Sequence, residues 1–280
     1  MLWKVPKKFP ILKNGQVHIW RTSLMRSKNE REIFFRLLNL EERERASRFV
    51  IKDVANDFIT ARGILRILLS RYLDRNPGEV ILQQNRYGKP CLESSPLKFN
   101  LSHSGGLALF IFALNRPVGI DVESIREIEN FREIAEKFFA KKETEDLFLL
   151  PANEQQQAFF NCWSRKEAFI KAKGLGVYHG LKNFSVEVSS NKKGRIKLIL
   201  DHDLYLLSSQ KQQYNPSSKH VVASSSPHVA VSSSPHVSSG DPVFKNSHDS
   251  WSLEAIDPGE KYSGAFSVNA SEYFFSLYDF

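Results

Sequence analysis

Two cysteines in 280 residues, Cys91 and Cys162, are too few for a disulfide framework or a cysteine metal cluster, and they suit a reducing compartment. No apolar run approaches the roughly 18 to 20 residues that a membrane-spanning helix needs. The opening MLWKVPKKFPILKNG breaks every apolar stretch with lysine or proline, so neither a signal peptide nor a membrane anchor is expected, and the cytoplasm is the expected compartment. There is also no basic stripe interleaved with aromatics: 39 lysines and arginines are scattered among 31 acidic residues, which argues against nucleic acid as a partner. The net charge of +8 still favours an acidic protein or a phosphorylated ligand. What the chain does have is apolar bulk, 41% hydrophobic and 12% aromatic, enough for one large core or two of ordinary domain size.

Residues 16–24, QVHIWRTSL, alternate as a half-buried strand with Val17, Ile19 and Arg21 on one side. A helical region is expected over 28–49, where LEERERASRF reads as a solvated face laced with ion pairs; Arg45 and Arg48 are the two placed to face a phosphate. A second helix runs from Asp53 to Leu73, with Phe58, Ala61, Leu65, Leu68, Leu69 and Tyr72 as its apolar stripe and Arg62, Arg66 and Arg71 on the other side. In KFNLSHSGGLALFIFAL two strands are joined by Ser102, His103, Ser104, Gly105 and Gly106, which suits a plain hairpin loop and a ligand loop equally. Residues 126–150 read as helical. Glu143 falls there at a helix start, where a carboxylate has a sufficient structural role. LKNFSVEVSS and GRIKLIL read as two strands turning at 191–194.

From about 208 to 250 the composition shifts to Ser, Pro, His, Gln and Asn, with SSSPHV at 224–229 and again at 232–237. Such a segment lacks the apolar surface to offset its ordering entropy and reads as a disordered insertion between strands. His220, His228 and His236 recur in it without carboxylate or cysteine company, which argues against a metal site.

Chemistry concentrates in two tracts. In VGIDVE, Val118, Ile120 and Val122 point one way and Gly119, Asp121 and Glu123 the other, so two carboxylates share a face; an exposed acidic edge and a cation site both fit. FFNCWSRKEAFIKAKGLG at 159–176 is helical, with Phe159, Trp163, Phe169 and Ile170 able to share a buried face. Glu167 and Lys171 stand one turn apart, and Gly174 and Gly176 end the helix. Alone, it reads as a core helix with solvated charges. Together, Asp121, Glu123 and Glu167 supply hard oxygen donors suited to Mg²⁺, which takes the rest of its shell from water and substrate phosphates. Lys171 and His103 could then neutralise a phosphate, and the chemistry implied is metal-assisted substitution at phosphorus.

The tracts YGKPCL, FNLSHSGG, VGIDVE and FFNCWSRKEAFIKAKGLG, in this order and spacing, resemble the Sfp-type 4′-phosphopantetheinyl transferases over roughly residues 17–207. The resemblance implies an α+β fold, a pseudo-twofold arrangement of two similar subdomains, 1–117 and 118–280, with the active site in the cleft between them. It implies Asp121, Glu123 and Glu167 as Mg²⁺ ligands and Lys171 as a pyrophosphate contact. Ser102 and His103 would lie near the 3′-phosphate of coenzyme A, Arg45 would bind a phosphate, Lys89 and Pro90 would contact the coenzyme, and Glu143 would be the general base. The implied partners are coenzyme A and an apo acyl or peptidyl carrier protein, and a monomer is expected. Two rival functions share these residues: a Mg²⁺-dependent phosphodiester hydrolase, and a non-catalytic homologue that binds coenzyme A or a carrier.

Overall fold

In the strand β1 (Gln16–Ser23) neither side is left to solvent: Val17 and Ile19 enter one core and Trp20 another. The expected half-buried strand is thus corrected to one covered on both faces. The computed structural model describes residues 2–175, 180–189, 191, 193–200 and 250–280. Gly176 and the expected insertion, apart from Ser250, lie outside the described residues.

The region 28–49 is two helices, α1 (Lys28–Leu37) and α2 (Leu40–Ser47). Each starts with a capping box, Ser27 with Glu30 and Asn39 with Glu42, so the second box ends the continuous helix that apolar periodicity suggested. The helix α3 (Lys52–Leu73) buries Phe58, Ala61, Leu65, Leu68 and Leu69 as expected. Arg62 and Arg66 are a correction: both are buried on Glu42 of α2, Arg66 Nε donating at 2.7 Å and Arg62 Nε lying 3.5 Å away. A helical stripe cannot reveal that a second helix covers its polar side.

After the short hairpin β2 (Gln83–Gln84) and β3 (Pro90–Cys91), the strands β4 (Leu97–Ser104) and β5 (Leu107–Leu114) form a tight hairpin. Ser102, His103 and Ser104 are strand residues; only Gly105 and Gly106, with φ of +56° and +79°, make the turn. Then come β6 (Val118–Ser124), α4 (Phe131–Phe138), α5 (Lys141–Leu149) and α6 (Ala152–Lys173), the last ended by Gly174 at φ +73°. β7 (Phe184–Val186) pairs with β9 (Leu198–Leu200), while β8 (Gly194–Arg195) leaves to join β10 (Trp251–Ile256). The chain closes with β11 (Tyr262–Asn269) and β12 (Phe274–Asp279).

One sheet has the order β12-β1-β5-β4 and the other β6-β11-β10-β8. Within each, the core order is first strand, third, second, and a 22-residue helix, α3 or α6, separates the first strand from the second. This repeat is the α+β pseudo-twofold architecture. Val17, Ile19, Leu109 and Ile111 of one sheet pack against Ile120, Val122, Phe266 and Val268 of the other, and α3 and α6 cover the outer faces. The chain passes from one sheet to the other between Leu114 and Val118. The C-terminal segment does not stay in the second half, because β12 returns to pair in parallel with β1.

Candidate active site

The strand β6 carries Asp121 and Glu123, both 0% exposed, and α6 brings up Glu167, 1% exposed. The exposed-edge alternative for these carboxylates is therefore excluded. Their meeting depends on Gly119: a β-carbon there would lie 2.2 Å from the Ala168 carbonyl oxygen and 2.2 Å from the Ala172 amide nitrogen. Only a residue without a side chain lets the α6 backbone rest on β6.

Burial pushes the carboxyl groups of all three residues above their ordinary pKa, Glu167 to about 7; the Asp121 charge adds to the rise of Glu123 and Glu167. Lys171 answers that charge. Its Nζ donates to Asp121 Oδ1 at 2.7 Å and Ser102 Oγ at 2.9 Å, and although burial lowers its pKa, Asp121 and Glu167 outweigh this and hold it above the ordinary value. Ser102 Oγ also donates to Asp121 Oδ1 at 2.8 Å, and Ser104 Oγ to Glu123 Oε2 at 3.0 Å. Asp121 Oδ2, Glu123 Oε1 and both Glu167 oxygens are buried without a hydrogen-bond partner. Unpaired buried carboxylate oxygens are costly and fit a hard cation. Among the described residues, no three ligating side chains are already gathered into a metal cage. The donor set fits Mg²⁺ by type, and an ion that keeps waters and phosphate oxygens in its shell needs no closed protein cage.

A basic group borders the carboxylates. Arg45 and Arg62 hold their guanidinium carbons 5.3 and 5.6 Å from the Phe58 ring centre. Arg45 stays exposed, while burial draws Arg62 down to about 10, where it is still charged at neutral pH. His103 keeps some exposed surface, yet desolvation by the atoms around it, followed by the Lys171, Arg62 and Arg45 charges, lowers its pKa to about 4. It is therefore a neutral imidazole at pH 7 in the free protein, correcting the expectation of a ready-made cation. Lys89 is also placed differently from the expected coenzyme contact: its Nζ donates to the Val118 carbonyl at 2.9 Å and the Lys171 carbonyl at 2.6 Å. Pro90 is half-buried in β3.

Glu143 fills the helix-start role read from its position, at N3 of α5. It is 1% exposed and accepts from Lys166 Nζ on both oxygens at 2.6 Å, from the Val186 amide at 2.7 Å and from the Ala140 amide at 2.7 Å. A carboxylate has about four acceptor sites, so this one has none spare to take a serine proton. In the free protein its role is structural. Lys166, on the helix α6, is buried as its partner.

Sequence reasoning missed Ser104, Arg62 and Arg126. Arg126 donates to Ser124 and stacks on Phe160, and its charge acts on Glu123. A signal for Ser104 was present: Ser102 and Ser104 alternate on one strand as Asp121 and Glu123 do on another. No local pattern marks Arg62 or Arg126, because their neighbours come from distant segments.

A sequence model of the 4′-phosphopantetheinyl transferase superfamily matches residues 117–225, and one for the 4′-phosphopantetheinyl transferase N-terminal region matches residues 20–113. The chain is 38% identical over 170 residues to the 4′-phosphopantetheinyl transferase HetI of Nostoc sp., covering 59% of this chain and 72% of the relative. It is 34% identical over 177 residues to the 4′-phosphopantetheinyl transferase Sfp of Bacillus subtilis, covering 63% and 78%. The 4′-phosphopantetheinyl transferase AcpT of Salmonella typhimurium is 38% identical over 110 residues, covering 39% and 56%.

Proposed function

Because the chain belongs to the 4′-phosphopantetheinyl transferase superfamily, we propose that it moves 4′-phosphopantetheine from coenzyme A to a serine of an apo acyl or peptidyl carrier protein, using the cleft between its halves. The observation that carries this reading is the set of unpartnered carboxylate oxygens on Asp121, Glu123 and Glu167, faced by Lys171 and bordered by Arg45, Arg62 and His103.

The serine oxygen forms a bond to the β-phosphorus of coenzyme A as the bond from that phosphorus to the pyrophosphate bridging oxygen breaks. 3′,5′-ADP leaves with the electron pair, and the serine proton passes to water in the cleft. Asp121, Glu123 and Glu167 would hold Mg²⁺, which when bound supplies positive charge beside the pyrophosphate oxygens. Lys171 donates to the same oxygens by letting go of Asp121 and Ser102, and it keeps its charge because its pKa lies above the ordinary lysine value. Arg45 and Arg62 meet the 3′-phosphate. A phosphate beside His103 would raise its lowered pKa and let it donate from both ring nitrogens. With Glu143 saturated, the buried carboxylate oxygens left without a hydrogen bond, among the described residues, all belong to Asp121, Glu123 and Glu167.

Incubation with coenzyme A, Mg²⁺ and an apo carrier, followed by intact mass measurement, tests the proposal. Transfer adds one phosphopantetheine to the carrier. Loss of coenzyme A with an unchanged carrier would identify a hydrolase, and no turnover with tight coenzyme binding would identify a binding protein.

A further inference from the structure

The hairpin formed by β2 and β3 reaches from the first half of the chain to the second, where its Asn85 and Lys89 side chains end on backbone. Besides the two carbonyl contacts of Lys89, Asn85 Nδ2 donates to the Gly174 carbonyl at 2.8 Å. Asn85 Oδ1 meanwhile accepts from the Tyr87 and Lys89 amides at 2.9 and 3.0 Å, and the Asn85 amide donates to the Lys89 carbonyl at 2.9 Å. The turn is therefore braced from within, and both of its donors point outward at fixed targets.

Those targets are specific. Val118 opens the strand that carries Asp121 and Glu123, while Lys171 and Gly174 belong to the last turn and cap of the helix that carries Glu167. The carbonyls at a helix C-terminus lack intrahelical donors and carry partial negative charge, so an ammonium group is the fitting cap. The point of attachment adjoins the Gly119 contact with Ala172, so hairpin, strand and helix are joined at one place.

We propose that Lys89, with Asn85, is a positioning residue that ties the start of β6 to the end of α6, and so sets where Lys171 stands relative to Asp121. This rests on the transferase reading for its catalytic consequence but not for its structural one. A lysine that contacted the coenzyme would matter only when the coenzyme is bound. A lysine that ties the two elements together governs the free protein as well.

The test measures wild type, Lys89→Met, Lys89→Arg and Asn85→Asp in two ways. In the ligand-free protein, amide hydrogen exchange at Gly174 and Leu175, whose N–H groups close the last turn of α6, should speed up about tenfold or more in Lys89→Met. Lys89→Arg, which keeps a multiply donating cation, should recover most of the protection. In the transfer assay, Lys89→Met should lose about tenfold or more in kcat, with KM for coenzyme A changed less than about threefold. Unchanged exchange in Lys89→Met, or an effect confined to KM, overturns the proposal. If Lys89→Met does not fold, Asn85→Asp, which keeps the Oδ1 acceptor and puts a carboxylate oxygen where the donor to Gly174 was, must still accelerate exchange at Gly174 and Leu175 or the proposal fails. Absence of transfer in wild type would defeat the transferase reading and leave the exchange result standing.

Discussion

Replacing Gly119 by alanine adds one methyl group at the point where strand and helix backbones touch. Its β-carbon would meet the Ala168 oxygen and Ala172 nitrogen at 2.2 Å and the Ala172 α-carbon at 2.8 Å, all backbone atoms that no rotamer change can move. Regaining an ordinary contact distance of about 3.5 Å pushes α6 away from β6 by about 1 Å. Overpacking of this kind costs about 1–3 kcal/mol. At about 2–4 °C per kcal/mol for a protein of this size, melting should fall by roughly 2–12 °C. The same displacement separates Glu167 and Lys171 from Asp121 and Glu123, and a misplacement of about 1 Å costs on the order of 100-fold in rate. Thermal melting and the carrier-mass assay, run on one preparation at saturating Mg²⁺ and coenzyme A, report both effects. A variant that melts with wild type and transfers within about twofold of it would refute the claim that this contact sets the spacing of the carboxylates.

Glu167→Gln should lower transfer by at least about 100-fold. Ligand-free, at pH 8, it should melt no lower than wild type: a carboxyl raised to about 7 supports the fold at low pH and loses that contribution as pH rises through 7, whereas the amide does not titrate. Wild-type activity in this variant would remove Glu167 from the site. Glu143→Gln strands the buried Lys166 ammonium and should cost about 3–5 kcal/mol in denaturant unfolding; lost transfer with unchanged unfolding would instead restore Glu143 as a base. His18 is buried against Tyr72, whose hydroxyl also accepts from Trp20, and burial lowers its pKa to about 4. The folded protein resists protonating it while the unfolded chain takes a proton near 6.5, so stability should decline as pH falls from 6.5 towards 4, by up to about 3 kcal/mol. Identical pH profiles for wild type and His18→Phe would exclude this origin.

Legibility followed the range of the interactions. The alternation in VGIDVE put Asp121 and Glu123 on one face, and the spacing of Glu167 and Lys171 put them on one side of a helix, because both follow from local geometry. The long helices α3 and α6 were equally plain. What could not be read were residues whose partners come from elsewhere in the chain. Arg62 and Arg66 could be placed only on the side away from the apolar stripe because nothing in their own helix announces Glu42, and the burial of Lys166 was not readable because Glu143 lies 23 positions away. The return of β12 to β1 was hidden for the same reason: an edge strand of either sheet would show the same alternation. Two misses were local. The boxes at Ser27 and Asn39 were present in the sequence, and the second separates α1 from α2.

The tracts that carry the family resemblance are not uniformly chemical, and the structure divides them. Within VGIDVE, Asp121 and Glu123 carry the buried carboxylates while Gly119 is the bearing on which α6 sits. Within FFNCWSRKEAFIKAKGLG, Glu167 and Lys171 join those carboxylates. Lys166 is locked to Glu143 on another side of the same helix, and Trp163 packs among Phe138, Phe139 and Phe159. Within YGKPCL, Lys89 is bound to backbone. The two classes separate experimentally because they act in different states of the protein. Removing a cleft group should change turnover and leave the ligand-free protein as stable as before, or more so where a buried charge is lost. Removing a joint should alter the ligand-free protein first and turnover as a consequence. A joint substitution such as Lys89→Met that spared exchange and stability yet abolished transfer would move that residue from the second class to the first.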